Sequence, residues 1–168
     1  ARDLVDNVSA PSNQATAFTM NNGLNYRVYE GNWSTLPDFS TLTPVDSGVH
    51  AGLDISLSQR TENFGMVWEG YIYIPQAATY TFYLESDDGS AMYLDNWYSP
   101  GATKFINNDG THAMTTVSKA TSANFPVGYH KVAFTFFQQA GGQGLNIYWK
   151  RNKTGYTTKV LIPDMYFR

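Results

Sequence analysis

From residue 64 onward, apolar and polar positions alternate in short, well-marked runs. Phe64, Met66, Trp68, Ile72 and Ile74 fall on one side of an extended segment, while Val67, Glu69, Tyr71 and Tyr73 fall on the other, which is the two-residue period of a β-strand. Pro75 ends that run, since it has no N–H to give a ladder. Tyr80, Phe82 and Leu84 then alternate with Thr81, Tyr83 and Glu85, and Met92 and Leu94 resume the pattern beyond Asp87-Asp88-Gly89. Val132, Phe134 and Phe136 share a face, as do Leu145, Ile147 and Trp149. No run repeats at 3.6 residues, so helices are not expected. Short alternating strands between Gly, Pro, Asn and Asp clusters predict an all-β fold, an antiparallel sandwich or barrel filled by inward aromatic rings.

The rest of the chain is less periodic. Ala1 to Asn22 is polar and small, and reads as a linker or N-terminal arm ahead of a domain over residues 23–168. The section from Gly31 to Gln59 shows few strand signals and reads as a long connection wrapping the outside. If each tight turn sends the chain to the opposite end of a sheet, the loops "SDDGS" (86–90), "NNDGTH" (107–112) and "QQAGGQG" (138–144) converge on one end. The same reasoning sends "NWYSPGAT", with Trp97 and Tyr98, to the other end.

Composition narrows the function classes. With 168 residues, 42% hydrophobic, 15% aromatic and only 15% charged, the chain reads as one folded domain and not as a disordered tail. A net charge of −3 lacks the basic stripe that phosphate backbones require, which argues against nucleic acid as a partner. There is no Cys, so thiolate chemistry, disulfides and Cys-based zinc sites are excluded. No apolar stretch approaches the ~20 residues needed to span a bilayer as a helix, so membrane insertion is not expected.

The three converging loops are rich in oxygen donors and glycine. Calcium takes six to eight oxygen ligands from carboxylates, carbonyls and hydroxyls. Asp87 and Asp88 supply two carboxylates, and a cis bond between them is the geometry that would aim both at one ion. In Ala140 to Gly144, glycines let carbonyls turn inward and Gln143 adds an amide oxygen. The vicinal hydroxyls of a sugar could then complete the coordination. The plainer alternative leaves all three loops as turns, with Asn108 and Asp109 in Asx hydrogen bonds and His112 as a partner in them. An enzyme is not indicated. A glycosidase needs two carboxylates about 5 to 9.5 Å apart in surroundings that raise one pKa, and neighbouring Asp residues on an exposed turn lack such a pocket.

Five separated blocks together resemble a known family. "GLNYRVYEG" (23–31), "WEGYIYIPQAATYTFYLESDDGSAMYLDN" (68–96), "NNDGTH" (107–112), "GYHKVAFTFFQQAGGQGLNIYW" (128–149) and "LIPDMYF" (161–167) occur in the order found in the PA-fourteen domains, named after the bacterial toxin protective antigen. The resemblance implies a β-sandwich or barrel used as an accessory module in bacterial glycosidases, adhesins and toxins, and in yeast cell-wall lectins. In the lectin branch, two consecutive Asp residues joined by a cis peptide bind calcium and a second loop completes a shallow sugar site. Asp87 and Asp88 match that pair, and Gly141, Gly142 and Gln143 match the second loop. Candidates for sugar contact are Asp87, Asp88 and Gln143 from these two loops, with Asp109 and His112 from the converging loop 107–112. The chain departs from the family in lacking the yeast adhesins' disulfides, and in carrying "NWYSPGATK" (96–104) where many bacterial members have a shorter turn, which leaves a role for Trp97 open.

The expectation is therefore a calcium-dependent carbohydrate-binding module, monomeric within a larger extracellular or cell-surface protein and not itself an enzyme. The competing expectation is a structural or protein-interaction domain in which the same loops only turn the chain.

Overall fold

A computed structural model describes residues 22–153, 155 and 157–168. The linker or arm expected over residues 1–22 lies, but for Asn22, outside the described residues. The described residues form ten strands: β1 (Leu24–Glu30), β2 (Asp46–His50), β3 (Phe64–Ile74), β4 (Tyr80–Asp87), β5 (Ser90–Leu94), β6 (Ile106–Asn108), β7 (Thr115–Ala120), β8 (Gly128–Gln138), β9 (Gly144–Arg151) and β10 (Val160–Leu161). Short 3-10 turns at Phe39–Thr41, Ile55–Ser58 and Asp164–Tyr166 complete the elements.

The longest alternating runs make the centre of the larger sheet. β3 and β8 pair antiparallel over their full lengths, from Phe64 opposite Gln138 to Ile74 opposite Gly128. The six-stranded sheet has the order β2-β1-β3-β8-β5-β6, and a four-stranded sheet has the order β10-β9-β4-β7. Every described pairing between strands is antiparallel. From β3 onward the chain passes repeatedly between sheets, so sequential strands such as β3 and β4 lie in different layers. The loops still converge as the simple up-and-down reading expects, because a reversal changes the end of the molecule whichever sheet the next strand joins.

The core is the set of inward positions read from the alternation. Phe64, Met66, Trp68, Ile72 and Ile74 of β3, Val132, Phe134 and Phe136 of β8, Tyr80, Phe82 and Leu84 of β4, and Ile147 and Trp149 of β9 all lie in one buried cluster. Leu145 and Leu94 pack at its margin. Trp149 stacks tilted on Tyr80 and Phe82, with ring centroids 5.5 and 6.4 Å apart; such aromatic pairs contribute about 0.5–1.5 kcal/mol beyond the area they bury.

The section from Gly31 to Gln59 differs from the reading as a connection alone. It contains β2, an edge strand paired with β1 from Leu24 opposite His50 to Val28 opposite Asp46. Its sequence, Asp-Ser-Gly-Val-His, has no apolar alternation because an edge strand here buries neither face. The preceding stretch covers the outer face of β3, where Phe39 packs with Tyr29 and Val67.

Candidate functional site

β4 ends with its carboxylates already at the tip of the sandwich. Asp87 is the last residue of the strand and pairs with Gly144 at the start of β9, which sets the first acidic turn beside the glycine-rich loop. The Asp87–Asp88 peptide bond is cis.

Two backbone N–H groups hold the Asp88 carboxylate. Asp88 is 5% exposed; its Oδ1 accepts from the N–H of His112 at 3.1 Å and its Oδ2 from the N–H of Gln139 at 2.9 Å. These are charge-assisted bonds to two different loops, and each carboxylate oxygen keeps a further lone pair. The Asp88 N–H donates to Gln138 Oε1 at 3.1 Å, and Gln138 Nε2 donates to the Gly142 carbonyl at 2.8 Å. Gln138 thus ties the acidic turn to the loop that follows β8.

Asp87 is less buried and faces that same loop. A Cβ on Gly142 would come within 2.8 Å of Asp87 Oδ2, so glycine is what allows the loop to close on the carboxylate. The third loop approaches as tightly. A Cβ on Gly89 would lie 2.4 Å from Phe137 Cε1 and 2.8 Å from both the N and the O of Gly110, so the first and third loops pack backbone against backbone.

Beneath the tip, Ser86 and Ser90 share a hydrogen bond at 2.7 Å, and Asn108 Nδ2 donates to Ser86 Oγ and to the Thr115 carbonyl, both at 3.0 Å. A closed polar layer therefore separates the apolar core from the acidic turn. Among the described residues, no Lys, Arg or His forms an ion pair with Asp87 or Asp88. No group of three or more acidic or histidine side chains poised around a common point occurs there either. A cation at the tip would draw on the two carboxylates together with carbonyl and amide oxygens, an all-oxygen donor set of the kind calcium prefers over softer metals.

The sequence candidates divide in space. Asp87, Asp88 and Gly142 come together as described, and Gly141 and Gln143 are exposed beside them. His112 contributes its backbone N–H, while its ring nitrogens lie 3.0 and 3.1 Å from the carbonyls of Ala113 and Asn108. Asp109 turns away from the carboxylate pair: Oδ1 accepts from the N–H of Leu36 at 2.6 Å and of Gly110 at 2.8 Å, and Oδ2 meets Lys104 Nζ at 3.0 Å. Trp97 packs edge-on against Tyr71 at 5.3 Å with Lys131 Nζ 5.5 Å above its ring. Tyr71 is seven residues along β3 from the tip, roughly 23 Å.

Sequence reading missed Gln138, Ser86 and Ser90, and took Asn108 only as a turn residue. The signal was present for two of them: Gln138 continues the inward series of Val132, Phe134 and Phe136, and Ser86 that of Tyr80, Phe82 and Leu84. A polar side chain at a core-phase position requires a buried partner, and here the partners build the site.

Comparison with known proteins is consistent along nearly the whole chain. The PA14 domain profile matches residues 20–162. Among proteins of curated function, none matches in sequence. The PA14 domain of the MpAFP antifreeze protein is similar in structure with a TM-score of 0.65 and 18% identity, covering 91% of this chain and 93% of that one. A PA14 sugar-binding domain from an RTX adhesin gives 0.59 at 13% identity, covering 87% and 97%. The A domain of epithelial adhesin 6 from Candida glabrata, solved with Galβ1-3GlcNAc, gives 0.62 at 11% identity, covering 90% and 88%. At these identities the likeness is one of fold. Among the described residues, no helix is long and apolar enough to cross a membrane. The two antiparallel sheets, the loop tip and the profile match over residues 20–162 together establish that the chain belongs to the PA14 domain family.

Proposed function

We propose that the tip is a calcium-dependent carbohydrate site, and that the chain acts as a non-catalytic binding module of a larger secreted or cell-surface protein. The observation that carries this reading is the pair of unneutralised carboxylates: Asp88 is clamped by the His112 and Gln139 N–H groups, and Asp87 faces the Gly142 loop. Two adjacent negative charges, with no cationic side chain paired to them among the described residues, repel one another, and a divalent cation relieves that repulsion. When bound, calcium would supply a centre with coordination positions left for a pair of vicinal hydroxyls.

The residues divide the work. Asp88, Asp87 and the carbonyls of the Gly141–Gln143 loop would hold the ion, and Gln138 sets the distance between the first two loops. The Gln143 amide, exposed at the rim, would hydrogen-bond the sugar. The sugar-bound and sugar-binding relatives of the same fold support the class of ligand. A shallow site of this size suggests micromolar to millimolar affinity, about −8 to −4 kcal/mol, with tighter attachment through several copies.

A second reading is favoured by one observation: both Asp88 oxygens are already satisfied by backbone N–H groups, so the turn can serve as a clasp in a structural or protein-interaction domain. Calorimetry against a panel of methyl glycosides, in calcium and in excess chelator, separates the two. The lectin reading expects binding in calcium, loss on chelation, and loss in Asp87→Asn. Equal binding under both conditions, or no binding with calcium present, returns the tip to the clasp.

A further inference from the structure

Among the large apolar side chains left exposed in the described residues, one belongs to the tip. Met114 is 47% exposed and lies in the segment between β6 and β7, two residues past the 107–112 loop.

The strands on either side fix its position. Ser86 of β4 pairs with Leu145 of β9 on one side and with Thr115 of β7 on the other. One residue nearer the tip, Asp87 pairs with Gly144, and Met114 is next in line after Thr115 on the opposite side. The Thr116 hydroxyl donates to Glu85 Oε1 at 2.8 Å on the outward face of the smaller sheet, and alternation sets Met114 and Asp87 on that same face. The backbone is tied down both before and after Met114: the His112 N–H donates to Asp88 Oδ1 at 3.1 Å, and the Thr115 carbonyl accepts from Asn108 Nδ2 at 3.0 Å.

Gly144 shows where the side chain goes. Its φ lies outside the left-handed region, so the backbone does not require glycine there. A Cβ would meet Met114 Cε at 2.3 Å and Met114 Sδ at 3.7 Å, and beyond its chain neighbours no other atom within 4 Å. What glycine supplies is room for the methionine. β7 and β9 flank β4 at about 4.8 Å on each side, so Met114 reaches Gly144 by extending across the end of β4, beside Asp87. The acidic pair therefore has an apolar wall on one side, while Gln143 stands exposed on the rim. A half-exposed thioether gains if an apolar group covers it, and an unbranched, polarizable side chain adapts to where that group sits.

We propose that Met114 sets specificity at the tip, selecting sugars that carry a methyl group near the hydroxyl pair: the C6 methyl of a 6-deoxy sugar or the methyl of an N-acetyl group. The proposal rests on the reading of the tip as a calcium-dependent sugar site. Cation and carboxylates engage hydroxyls and give no preference for a methyl; Met114 supplies it.

The test is calorimetry of the whole chain in saturating calcium. The probes are methyl β-D-glucopyranoside and methyl β-D-galactopyranoside, each beside its 6-deoxy and its 2-acetamido-2-deoxy counterpart. The readout is the affinity ratio within a series, which a general loosening of the fold leaves alone. In the parent, at least one methyl-bearing probe should bind about threefold or more tightly than its hydroxylated counterpart, since burying one methyl group is worth about fourfold. A response to the 6-deoxy probes, to the acetamido probes or to both identifies the source of the methyl. Met114→Gln, of similar length, should bring the ratio to about one and leave calcium affinity without sugar within about twofold; Met114→Leu should keep the preference. Gly144→Ala should lower the ratio, because its Cβ takes the place of Met114 Cε. The proposal is overturned if the parent's ratios are near one in both series, if Met114→Gln keeps the parent's ratio, or if Met114→Gln weakens calcium binding alone, which would make the methionine a shield for Asp87. In each of those outcomes sugar still binds in calcium and is lost on chelation, so the tip reading survives. Absence of binding by every probe removes both.

Discussion

The acidic tip and the flank cavity are built in opposite ways. At the tip, three short loops bring carboxylates and backbone groups together, and nearly every polar atom at its base has a protein partner. On the flank, two long connections lean on a sheet face and enclose a concavity of about 270 Å³ beside Tyr93 and Tyr98. The tip concentrates negative charge in positions set by strand ends. The cavity is instead positioned by side-chain packing, with Tyr98 edge-on to Phe39 at 5.9 Å and to Tyr93 at 5.8 Å. Turns at strand ends gather charge, whereas packed loops set the shape of a concavity.

The largest expected effect comes from forcing the tip apart. Gly89→Ala places a Cβ where the Gly110 backbone cannot yield, and should destabilise the domain by about 3 kcal/mol, read as a lower urea midpoint at unchanged slope. Calcium binding at the tip, amide shifts included, should weaken with it while Thr135 on the flank is little affected. If stability and calcium response are unchanged, the loops do not pack as described.

Calcium itself should come next. At a concentration one hundred times its dissociation constant, an ion that binds only the folded chain adds about 2.7 kcal/mol. Thermal melts should therefore rise with calcium in the parent and stay level in Asp88→Asn. A rise in Asp88→Asn equal to the parent's would place the ion elsewhere.

Asp109 joins the two regions and sharpens the contrast between them. Asp109→Ala removes the Lys104 ion pair and leaves the Leu36 N–H without its acceptor, at a cost of about 1–2 kcal/mol. The packing of the 31–45 connection should loosen, read as a lower melting temperature, while calcium binding stays within about twofold because Asp109 takes no part in holding Asp88.

The smallest effect is the flank's own share of the pH dependence. Burial first, then the nearby Asp38 charge, holds the Tyr98 phenol near 12 against the ordinary 10.0. A raised phenol pKa contributes stability that is complete below the ordinary value and lost as pH climbs towards the raised one. Stability should hold up to about pH 10 and decline from there to about 12, and Tyr98→Phe should lessen that decline. An identical alkaline slope in the variant would remove Tyr98 as its cause.

How much could be read beforehand also differs between the regions. The strands β3, β4, β8 and β9 were legible because each buries one face, and burial writes a period of two into the sequence. β2 was not, since an edge strand with both faces outside carries no such mark. Asp87, Asp88 and Gly142 were legible as a group because tight turns occupy fixed places at strand ends. Gln138 was overlooked although its phase announced it, and Asp109 was placed among the sugar contacts although its carboxylate meets Leu36, Gly110 and Lys104.

By itself the sequence determined the layered all-β architecture, its aromatic core and the end of the molecule where acidic and glycine-rich turns meet. Those follow from alternation and chain reversal, which act over a few residues at a time. Only the tertiary structure decided that Gln138 bridges two loops, that Asp109 faces Lys104, and that the 31–45 and 95–105 connections enclose a cavity over Thr135. Those depend on contacts between segments distant along the chain, set by how irregular loops pack on a sheet, and no local pattern of residues encodes that packing.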